Sequence, residues 1–268
     1  MPLYLVPTPI GNLEDITLRA LRILREADTV ACEDTRRTGK LLKHYEISAD
    51  LTPYHEHNEA VRAPELAARA REEKVALVSD AGMPLLSDPG YRLVRECLQA
   101  GVPVEALPGP SALTTALAAS GLPPDEVVFV GFPPRKGRER RSLFERIGRQ
   151  TATFVLFESP NRLARTLSEL PPGTPVAVCR ELTKLHEEVY RATAAAAAEH
   201  FSGTVKGEVV LVARGGGAVE EPGVSEAVEL AREYLAVGES PGRAASRAAR
   251  ETGLKRNEIY PRLIGKEE

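Results

Sequence analysis

Residues 74–90, KVALVSDAGMPLLSDPG, join a short apolar run to a long loop rich in glycine and proline. The run KVALV is typical of a strand that is buried on both faces. The loop contains two Ser-Asp pairs and has no lysine or arginine. Because bound phosphate ordinarily requires cations or helix amides, the loop suits a ligand without phosphate. The alternative is a structural Ω-loop held by Asx turns.

The chain around this stretch alternates between strand-like and helix-like segments. Apolar runs at 3–8, 29–34 and 103–109 read as strands, and the spacing at 16–27 predicts a helix that begins near Thr17. Such alternation predicts an α/β fold with a mostly parallel sheet, whose ligands lie beyond the carboxyl ends of the strands. The turns PTPIGN, VSDAGMPLLSDPG and LPGPSA share that position.

After PGPSALTTALAASGL the pattern changes, and strand-like segments follow one another with few helices between them. This indicates a second α/β domain with antiparallel pairing. A glycine-rich acidic stretch then precedes three short helical segments. We therefore predict an N-terminal α/β domain over 1–110, a C-terminal α/β domain over 111–215, a linker over 216–223 and a basic helix-turn-helix-like domain over 224–268.

Composition excludes several classes of protein. The 268 residues carry a net charge of −3, with 43% hydrophobic and 27% charged residues, an ordinary balance for a globular protein. Cys32, Cys97 and Cys179 are scattered and form no CxxC pair, which favours a reducing cytoplasm over a disulfide or zinc scaffold. We find no signal-peptide pattern, no membrane-span pattern, no P-loop and no metal-binding motif.

Several polar residues follow the predicted strands, and each has a functional and a structural interpretation. Glu33 and Asp34, beside Arg36, could position a polar substrate or form surface ion pairs at a helix start. His55 could act as a base or belong to a solvated loop. Gly11 could let a ligand approach the backbone closely, or could belong to an ordinary strand-to-helix turn.

The loop at 78–90 has a more specific functional interpretation. Asp80, at the end of a strand, could accept hydrogen bonds from ribose hydroxyl or amino groups, while Gly82 and Pro84 would shape a narrow slot. An adenosyl compound with a sulfonium and an amino acid tail suits such a loop, because a cation would repel the sulfonium.

Positive charge is concentrated in two segments of this otherwise acidic chain. They are PRKGRERRSLFERIGRQ at 134–150 and the tail SPGRAASRAARETGLKRNEIYPRLI at 240–264. So high a density of positive charge favours segments that contact the phosphates of a nucleic acid over helix faces that are merely solvated. The tail also has the helix, glycine turn and second helix of a helix-turn-helix.

The ordered set PTPIGNLEDITLRAL, CEDTRRTGKLL, VSDAGMPLLSDPG, PGPSALTTALAASGL, GFPP, FESPNRL and CRELTKLHEE strongly resembles one family. It resembles the ribosomal RNA small subunit methyltransferase I family, a branch of the tetrapyrrole-methylase-like (class III) methyltransferases. That branch methylates the ribose 2′-oxygen of a cytidine in the decoding region of 16S rRNA. The resemblance covers essentially the whole chain.

The resemblance implies a two-domain architecture with a small helical tail, a homodimer, S-adenosylmethionine as methyl donor, and 16S rRNA within the 30S subunit as partner. It implies that the donor site is formed by Pro9, Gly11, Asn12, Asp80, Ala81, Gly82, Met83, Ser111, Ala112, Phe157, Glu208 and Val209. Tetrapyrrole-making relatives usually carry Gly-Asp where this chain has Gly11-Asn12, and a Gly-Asp-Pro turn where it has Ser79-Asp80-Ala81. These departures favour the RNA branch.

Methyl transfer to a ribose hydroxyl requires alignment, and a base would help. We expect the base to be one of four side chains, namely Glu33, Asp34, His55 and Glu181. Arg36 and Lys184 would orient the nucleotide. Two alternatives remain: a methyltransferase acting on a tetrapyrrole, against which the basic tail speaks, and a non-catalytic RNA-binding module for ribosome assembly.

Overall fold

The computed structural model of the chain describes residues 1–216 and 224–265, and the chain divides after Gly216 into two compact units. Apart from Gly216, the predicted linker at 216–223 lies outside the described residues. No helix in the described ranges is long and apolar enough to cross a membrane.

The first half of the larger unit is a five-stranded sheet in which every neighbouring pair is parallel. Its strands are β1 (Leu3–Leu5), β2 (Thr29–Cys32), β3 (Asp50–Pro53), β4 (Val75–Val78) and β5 (Val104–Ala106), in the order β3-β2-β4-β1-β5. The connecting helices are α1 (Leu18–Glu26), α2 (Thr35–His44), α3 (Glu59–Arg69) and α4 (Tyr91–Gln99). Thr17 caps α1 by accepting a hydrogen bond from the amide of Ala20.

Strand β4 shows why this sheet is covered on both faces. Its side chains alternate, so that Val75 and Leu77 pack with α3 and α4, while Ala76 and Val78 pack with α1 and α2. All four residues are buried. The prediction of a parallel sheet between two helical layers is confirmed.

The second half of the larger unit contains a mixed sheet. Its strands are β6 (Val127–Gly131), β7 (Thr153–Glu158), β8 (Pro175–Arg180), β9 (Glu188–Thr193) and β10 (Val209–Arg214), in the order β6-β7-β10-β8-β9. Only the β6–β7 pair is parallel among these described strands. The helices of this half are α5 (Ala112–Ser120), α6 (Arg138–Arg149), α7 (Leu163–Ser168) and α8 (Ala194–His200).

Helices cover both faces of the mixed sheet as well. One face packs against α6, α7 and α8, and the other packs against α5. Ile10, from the loop after β1, joins the second of these clusters together with Ala116 of α5. The first sheet therefore contributes its own loop to the core beneath the second sheet, which brings the two halves of this unit together at that loop.

The C-terminal unit consists, in the described residues, of α9 (Val224–Ala236), α10 (Pro241–Thr252) and α11 (Arg256–Leu263). Alanines of α9 and α10 pack with Ile259 of α11 in a core of its own. Gly253, with a φ of 74°, ends α10 in a left-handed conformation and opens the turn into α11. Two helices joined by a glycine turn therefore follow each other in the tail, and the helix-turn-helix-like domain stays a prediction.

Candidate active site

The loops after β1, β4 and β5 meet at the carboxyl edge of the parallel sheet, as predicted for a fold of this class. Thr8 and Gly82 exchange backbone hydrogen bonds of 3.0 and 2.9 Å, which tie the first loop to the second. The hydroxyl of Thr8 also donates to the carbonyl of Ser79 at 3.0 Å. Gly82 has a φ of 80°, a conformation that favours glycine.

A cavity of about 380 Å³ opens between these loops and the mixed sheet. Of the residues predicted for the donor site, eight line it, namely Ala81, Gly82, Met83, Ser111, Ala112, Phe157, Glu208 and Val209. The described residues that line it include no lysine, arginine or histidine. The volume lies within the range of ordinary small-molecule sites, and a lining without cations fits a sulfonium compound.

A second, more polar cavity of about 290 Å³ adjoins the first and shares Ile10, Ala81 and Glu208 with it. Its lining adds three further predicted donor residues, Pro9, Gly11 and Asp80. In contrast to the first cavity, it is lined by cations, namely Arg37, Lys40 and Lys184. The cleft therefore has a cation-free chamber beside one that carries positive charge.

Asp80 is neutralised by a residue of helix α2. Its Oδ2 lies 3.1 Å from Nη1 of Arg37, and its Oδ1 accepts a hydrogen bond of 3.2 Å from the amide of Asp34. Both carboxylate oxygens thus have partners in the protein. The cation missing from the sequence of the 78–90 loop is supplied by α2.

Three predicted residues follow β2, and they differ in their surroundings. Asp34 caps α2, accepting from the amide of Arg36 at 2.8 Å, and its other oxygen lies 2.8 Å from Nη2 of Arg36. These hydrogen bonds from the Arg36 side chain and backbone hold the pKa of Asp34 far below its usual range. Glu33 behaves in the opposite way, because burial and then the charge of Asp80 raise its pKa. Arg36 itself points outward, with 87% of its side chain exposed.

Glu181, Lys184 and Glu208 form an ionic cluster at the second cavity. Nζ of Lys184 lies 2.7 Å from Oε1 of Glu181 and 2.9 Å from Oε2 of Glu208. The hydrogen bond from Lys184 and then that from the amide of Glu208 lower the pKa of Glu181. Burial disfavours the charge of Lys184, but its two carboxylate partners outweigh burial and raise its pKa.

A glycine is required at position 11 because other residues of the chain pack closely against its backbone. A Cβ at this position would lie 2.5 Å from Cγ of Lys184 and 2.6 Å from Oγ1 of Thr183. Asn12, at the start of a short 3-10 helix, lies outside both cavities. Its Oδ1 accepts from the amide of Glu14 at 3.1 Å, and its own amide donates to Oγ1 of Thr183 at 3.0 Å. The close approach at Gly11 is therefore made by the loop after β8.

His55 lies in the loop between β3 and α3, where its backbone and ring both contact Asn58. The His55 amide donates to Oδ1 of Asn58 at 2.9 Å, and Nε2 lies 3.2 Å from Nδ2 of the same residue. Nδ1 is buried without a hydrogen-bond partner. His55 is among the charged groups that act on the pKa of Glu33, after burial and the charge of Asp80.

Two acidic residues of the larger cavity were absent from the sequence-based site. Asp88 belongs to the second Ser-Asp pair of the 78–90 loop. The repeat of this pair within one loop was the signal in the sequence that could have identified Asp88 as a site residue. Glu158, in the FESP motif, is fully buried, and its Oε1 lies 2.6 Å from Nη2 of Arg162. Its Oε2 accepts from Oγ1 of Thr166 at 2.5 Å. No local pattern distinguishes such a buried pair from a surface pair.

The cations of the basic segment at 134–150 are exposed with one exception. Arg140 is buried, and its Nε lies 2.6 Å from Oε2 of Glu169. Its other nitrogens donate to the carbonyl of Pro134 and to Oγ1 of Thr166, each at 2.9 Å. Arg140 is therefore structural and unavailable to RNA. The exposed cations of the segment are Arg135, Lys136, Arg138, Arg141, Arg146 and Arg149.

Comparison with known proteins identifies the family. The profile of the Tetrapyrrole (Corrin/Porphyrin) Methylases matches residues 2–198. Ribosomal RNA small subunit methyltransferase I from Halalkalibacterium halodurans is 43% identical, over 96% of this chain and 93% of its own. The protein of that name from Mesorhizobium japonicum is 46% identical, over 98% and 91%. The chain belongs to the ribosomal RNA small subunit methyltransferase I family, within the tetrapyrrole methylases.

Solved structures agree with this family at the level of the fold. A uroporphyrin-III-C-methyltransferase from Thermus thermophilus has a TM-score of 0.57 and 26% identity, covering 79% of this chain and 93% of its own. A uroporphyrin-III C-methyltransferase from the same organism, solved with S-adenosylhomocysteine, has a TM-score of 0.56 and 23% identity, covering 79% and 97%. The ribosomal RNA small subunit methyltransferase I family thus shares the architecture of methylases that act on tetrapyrroles.

Residues 1–216 and 224–265 contain no group of three or more His, Cys, Asp or Glu side chains arranged to hold a metal ion. In this member of the ribosomal RNA small subunit methyltransferase I family, Asp80 is paired with an arginine and Glu181 with a lysine. Glu33 has other carboxylates nearby, and burial and then their charge raise its pKa. Proton transfer and charge complementarity are the chemistry that these side chains can supply.

Proposed function

We propose that this protein transfers the methyl group of S-adenosylmethionine to the ribose 2′-oxygen of a cytidine in 16S rRNA. The observation that supports this most directly is the pair of adjoining cavities with different charge. The larger, without cations, suits the sulfonium donor, and the smaller, lined by Arg37, Lys40 and Lys184, suits a nucleotide. The relatives named above carry the corresponding rRNA activity in their names.

The donor, when bound, supplies an electrophilic methyl group. The residues of the chain would hold the acceptor ribose in line with that methyl group and exclude water from the junction of the two cavities. Ile10 and Ala81 line both cavities and would form the wall beside which the reacting atoms meet.

Among the four candidate bases, the surroundings favour Glu33. Asp34 and Glu181 each accept hydrogen bonds from a cationic partner and have lowered pKa values, which makes them weak bases. Glu33 has a raised pKa, because burial disfavours its charge, and this makes it a stronger base than Asp34 or Glu181. Lys184 lines the smaller cavity and would orient the nucleotide there, while the exposed Arg36 could reach an RNA phosphate.

A substitution series tests this assignment. We expect Glu33→Gln to lower the single-turnover rate of methyl transfer to 30S particles by roughly 100-fold or more, the usual contribution of a general base. Donor affinity, measured separately by calorimetry, should change little. Asp34→Asn, Glu181→Gln and His55→Gln serve as comparisons. If all four variants keep the wild-type rate, the base is not in this set.

The exposed cations of α6 and of the tail would bind the RNA backbone outside the cleft. In α6, Arg141 and Arg149 are both exposed, as are Arg243 and Arg250 in α10. Replacing either pair by glutamine should weaken RNA binding and reduce the slope of log affinity against log salt by about 1 per lost phosphate contact. Arg62→Gln, on an exposed face of α3, is the control. An unchanged salt slope in both paired variants would exclude these helices as RNA contacts.

We propose further that the enzyme works as a cytoplasmic homodimer on RNA within the 30S subunit. Large apolar side chains are exposed on neighbouring helices, Val61 on α3 and Tyr91 and Leu98 on α4, and they offer an apolar surface for association. Light scattering of the purified protein tests the dimer, and a Tyr91→Lys/Leu98→Lys variant that leaves the molar mass unchanged would exclude this surface.

The two alternative functions are not favoured. The identities of 43% and 46% are to rRNA methyltransferases, whereas the uroporphyrin methyltransferase with the related fold has 26%. A non-catalytic RNA-binding module would have no need for a cation-free cavity joined to a polar one. Transfer of labelled methyl groups to 16S rRNA or 30S particles, compared with a uroporphyrin acceptor, distinguishes these possibilities.

A further inference from the structure

The larger cavity is lined by three acidic side chains, and only one of them has no cation as a partner among the described residues. Glu158 is held by Arg162 and Thr166, and Glu208 is held by Lys184. Asp88 makes no ion pair within the described ranges. The cavity therefore presents a single uncompensated carboxylate to a bound molecule.

The surroundings of Asp88 disfavour its negative charge. Burial and then the nearby charge of Glu33 raise the pKa of Asp88 to about 6, and a hydrogen bond from Ser79 offsets only part of this. Asp80 adds further negative charge from the same loop, although Arg37 is paired with it. A cation placed beside Asp88 would relieve this repulsion, so the site favours a positively charged ligand.

The loop presents Asp88 in a conformation that the rest of the structure must maintain. Leu85 and Ser87 have φ values of 75° and 70°, which non-glycine residues adopt only at a cost. Leu86 and Ser87 line the larger cavity with Asp88. The strained stretch is therefore the part of the loop that faces the ligand.

Asp88 lines the larger cavity, and its charge interacts with that of a residue of the smaller one. Asp80, whose charge acts on Asp88, lines the smaller cavity, where the acceptor would bind. For methyl transfer, the sulfonium must face that cavity. A carboxylate of the larger cavity without a cationic partner is accordingly suited to act on the positive sulfur of the donor.

We infer that Asp88 is the anion that faces the donor sulfonium and thereby favours S-adenosylmethionine over S-adenosylhomocysteine. The inference rests on the proposed function. Methyl transfer breaks the C–S bond and forms a C–O bond, and the electron pair of the broken bond stays on sulfur. The hydroxyl proton passes to a base such as Glu33. Because sulfur is then uncharged, its attraction to Asp88 is lost, and the product is released more readily.

Calorimetric titration of the full-length protein with each of the two compounds tests the inference. We expect Asp88→Asn to weaken binding of S-adenosylmethionine by about tenfold, the scale of a single partly screened charge contact, and binding of S-adenosylhomocysteine by less than about twofold. Asp125→Asn, at an exposed position outside both cavities, is the matched control and should change neither affinity. Circular dichroism establishes that each variant is folded.

The wild-type protein supplies a second readout that needs no variant. Protonation of Asp88 below pH about 6 should reduce the preference for S-adenosylmethionine, whereas the shared amino acid tail and ribose cancel in the ratio of the two affinities. The charged groups that act on Asp88, Glu33 and Asp80, are the same for both ligands. The ratio should therefore fall between pH 7.5 and pH 5.

The outcomes separate this inference from the proposed function. Equal weakening of both ligands in Asp88→Asn would mean that Asp88 contacts the tail or the ribose, and it would overturn the inference. So would unchanged affinities, or a preference that is independent of pH. If the wild-type protein binds neither compound, the proposed function fails, and the inference fails with it.

Discussion

Replacing Arg162 by methionine removes the cation that balances the carboxylate of Glu158, which is fully buried. The two residues are four positions apart in sequence, with 2.6 Å between Nη2 and Oε1. Methionine keeps much of the length of the side chain and removes only its charge and hydrogen bonds. We expect the free energy of unfolding to fall substantially, because the remaining carboxylate would be buried without a counter-ion.

The remaining contacts of Glu158 determine how much the free energy of unfolding falls. Breaking one partner of a buried ion pair costs about 3–5 kcal/mol in general. Here Glu158 would still accept hydrogen bonds from the amide of Ser159 at 2.7 Å and from Thr166 at 2.5 Å. These two bonds place the cost near the lower limit, about 3 kcal/mol. A loss of this size would lower the melting temperature by about 6–12 °C for a protein of this size.

The chain offers a matched control in Arg22 and Glu26, which form a pair of the same chemistry and the same spacing on the exposed surface of α1. Arg22→Met should cost less than about 0.5 kcal/mol, since exposed pairs contribute little. Both variants are compared by urea unfolding followed by circular dichroism. The double variant Glu158→Gln/Arg162→Met should recover part of the lost stability, because it leaves no uncompensated charge. Equal costs for the two arginine variants would refute the reasoning.

Three further predictions follow from the same cleft. Gly11→Ala should lower stability and donor affinity, because its methyl group would meet Lys184, whereas Gly203→Ala, at a position with open space around it, should do neither in the same two assays. The raised pKa of Asp88 means that the folded state binds a proton more tightly than the unfolded state does. Stability of the wild type relative to Asp88→Asn should therefore be highest below pH about 3.8 and fall as pH rises through about 6, as thermal unfolding across that range would show. Burial raises the pKa of Cys179 to about 11, so this thiol should react slowly with alkylating reagents, and donor binding should slow it further without affecting Cys97, as peptide mass spectrometry can measure.

Much of the fold was predictable, because it depends on short-range patterns. The apolar run at 75–78 and the helical spacing of α1 are properties of neighbouring residues, and both elements form where they were expected. The site was predictable to the extent that parallel strands bring their following loops to one edge. Ala81, Ser111 and Val209 line one cavity for this reason, although they are far apart in sequence.

The sequence by itself determined the alternation of strands and helices, the loops that meet at the edge of the parallel sheet, and the family. Only the tertiary structure decided how the charges of those loops are balanced. Asp80 and Asp88 look equivalent as two Ser-Asp pairs, but Arg37 of α2 neutralises the first and no described cation forms an ion pair with the second. The physical reason is that the free energy of a charge depends on its burial and on the distance to its partner. Neither quantity can be read from residues separated by tens of positions in the chain.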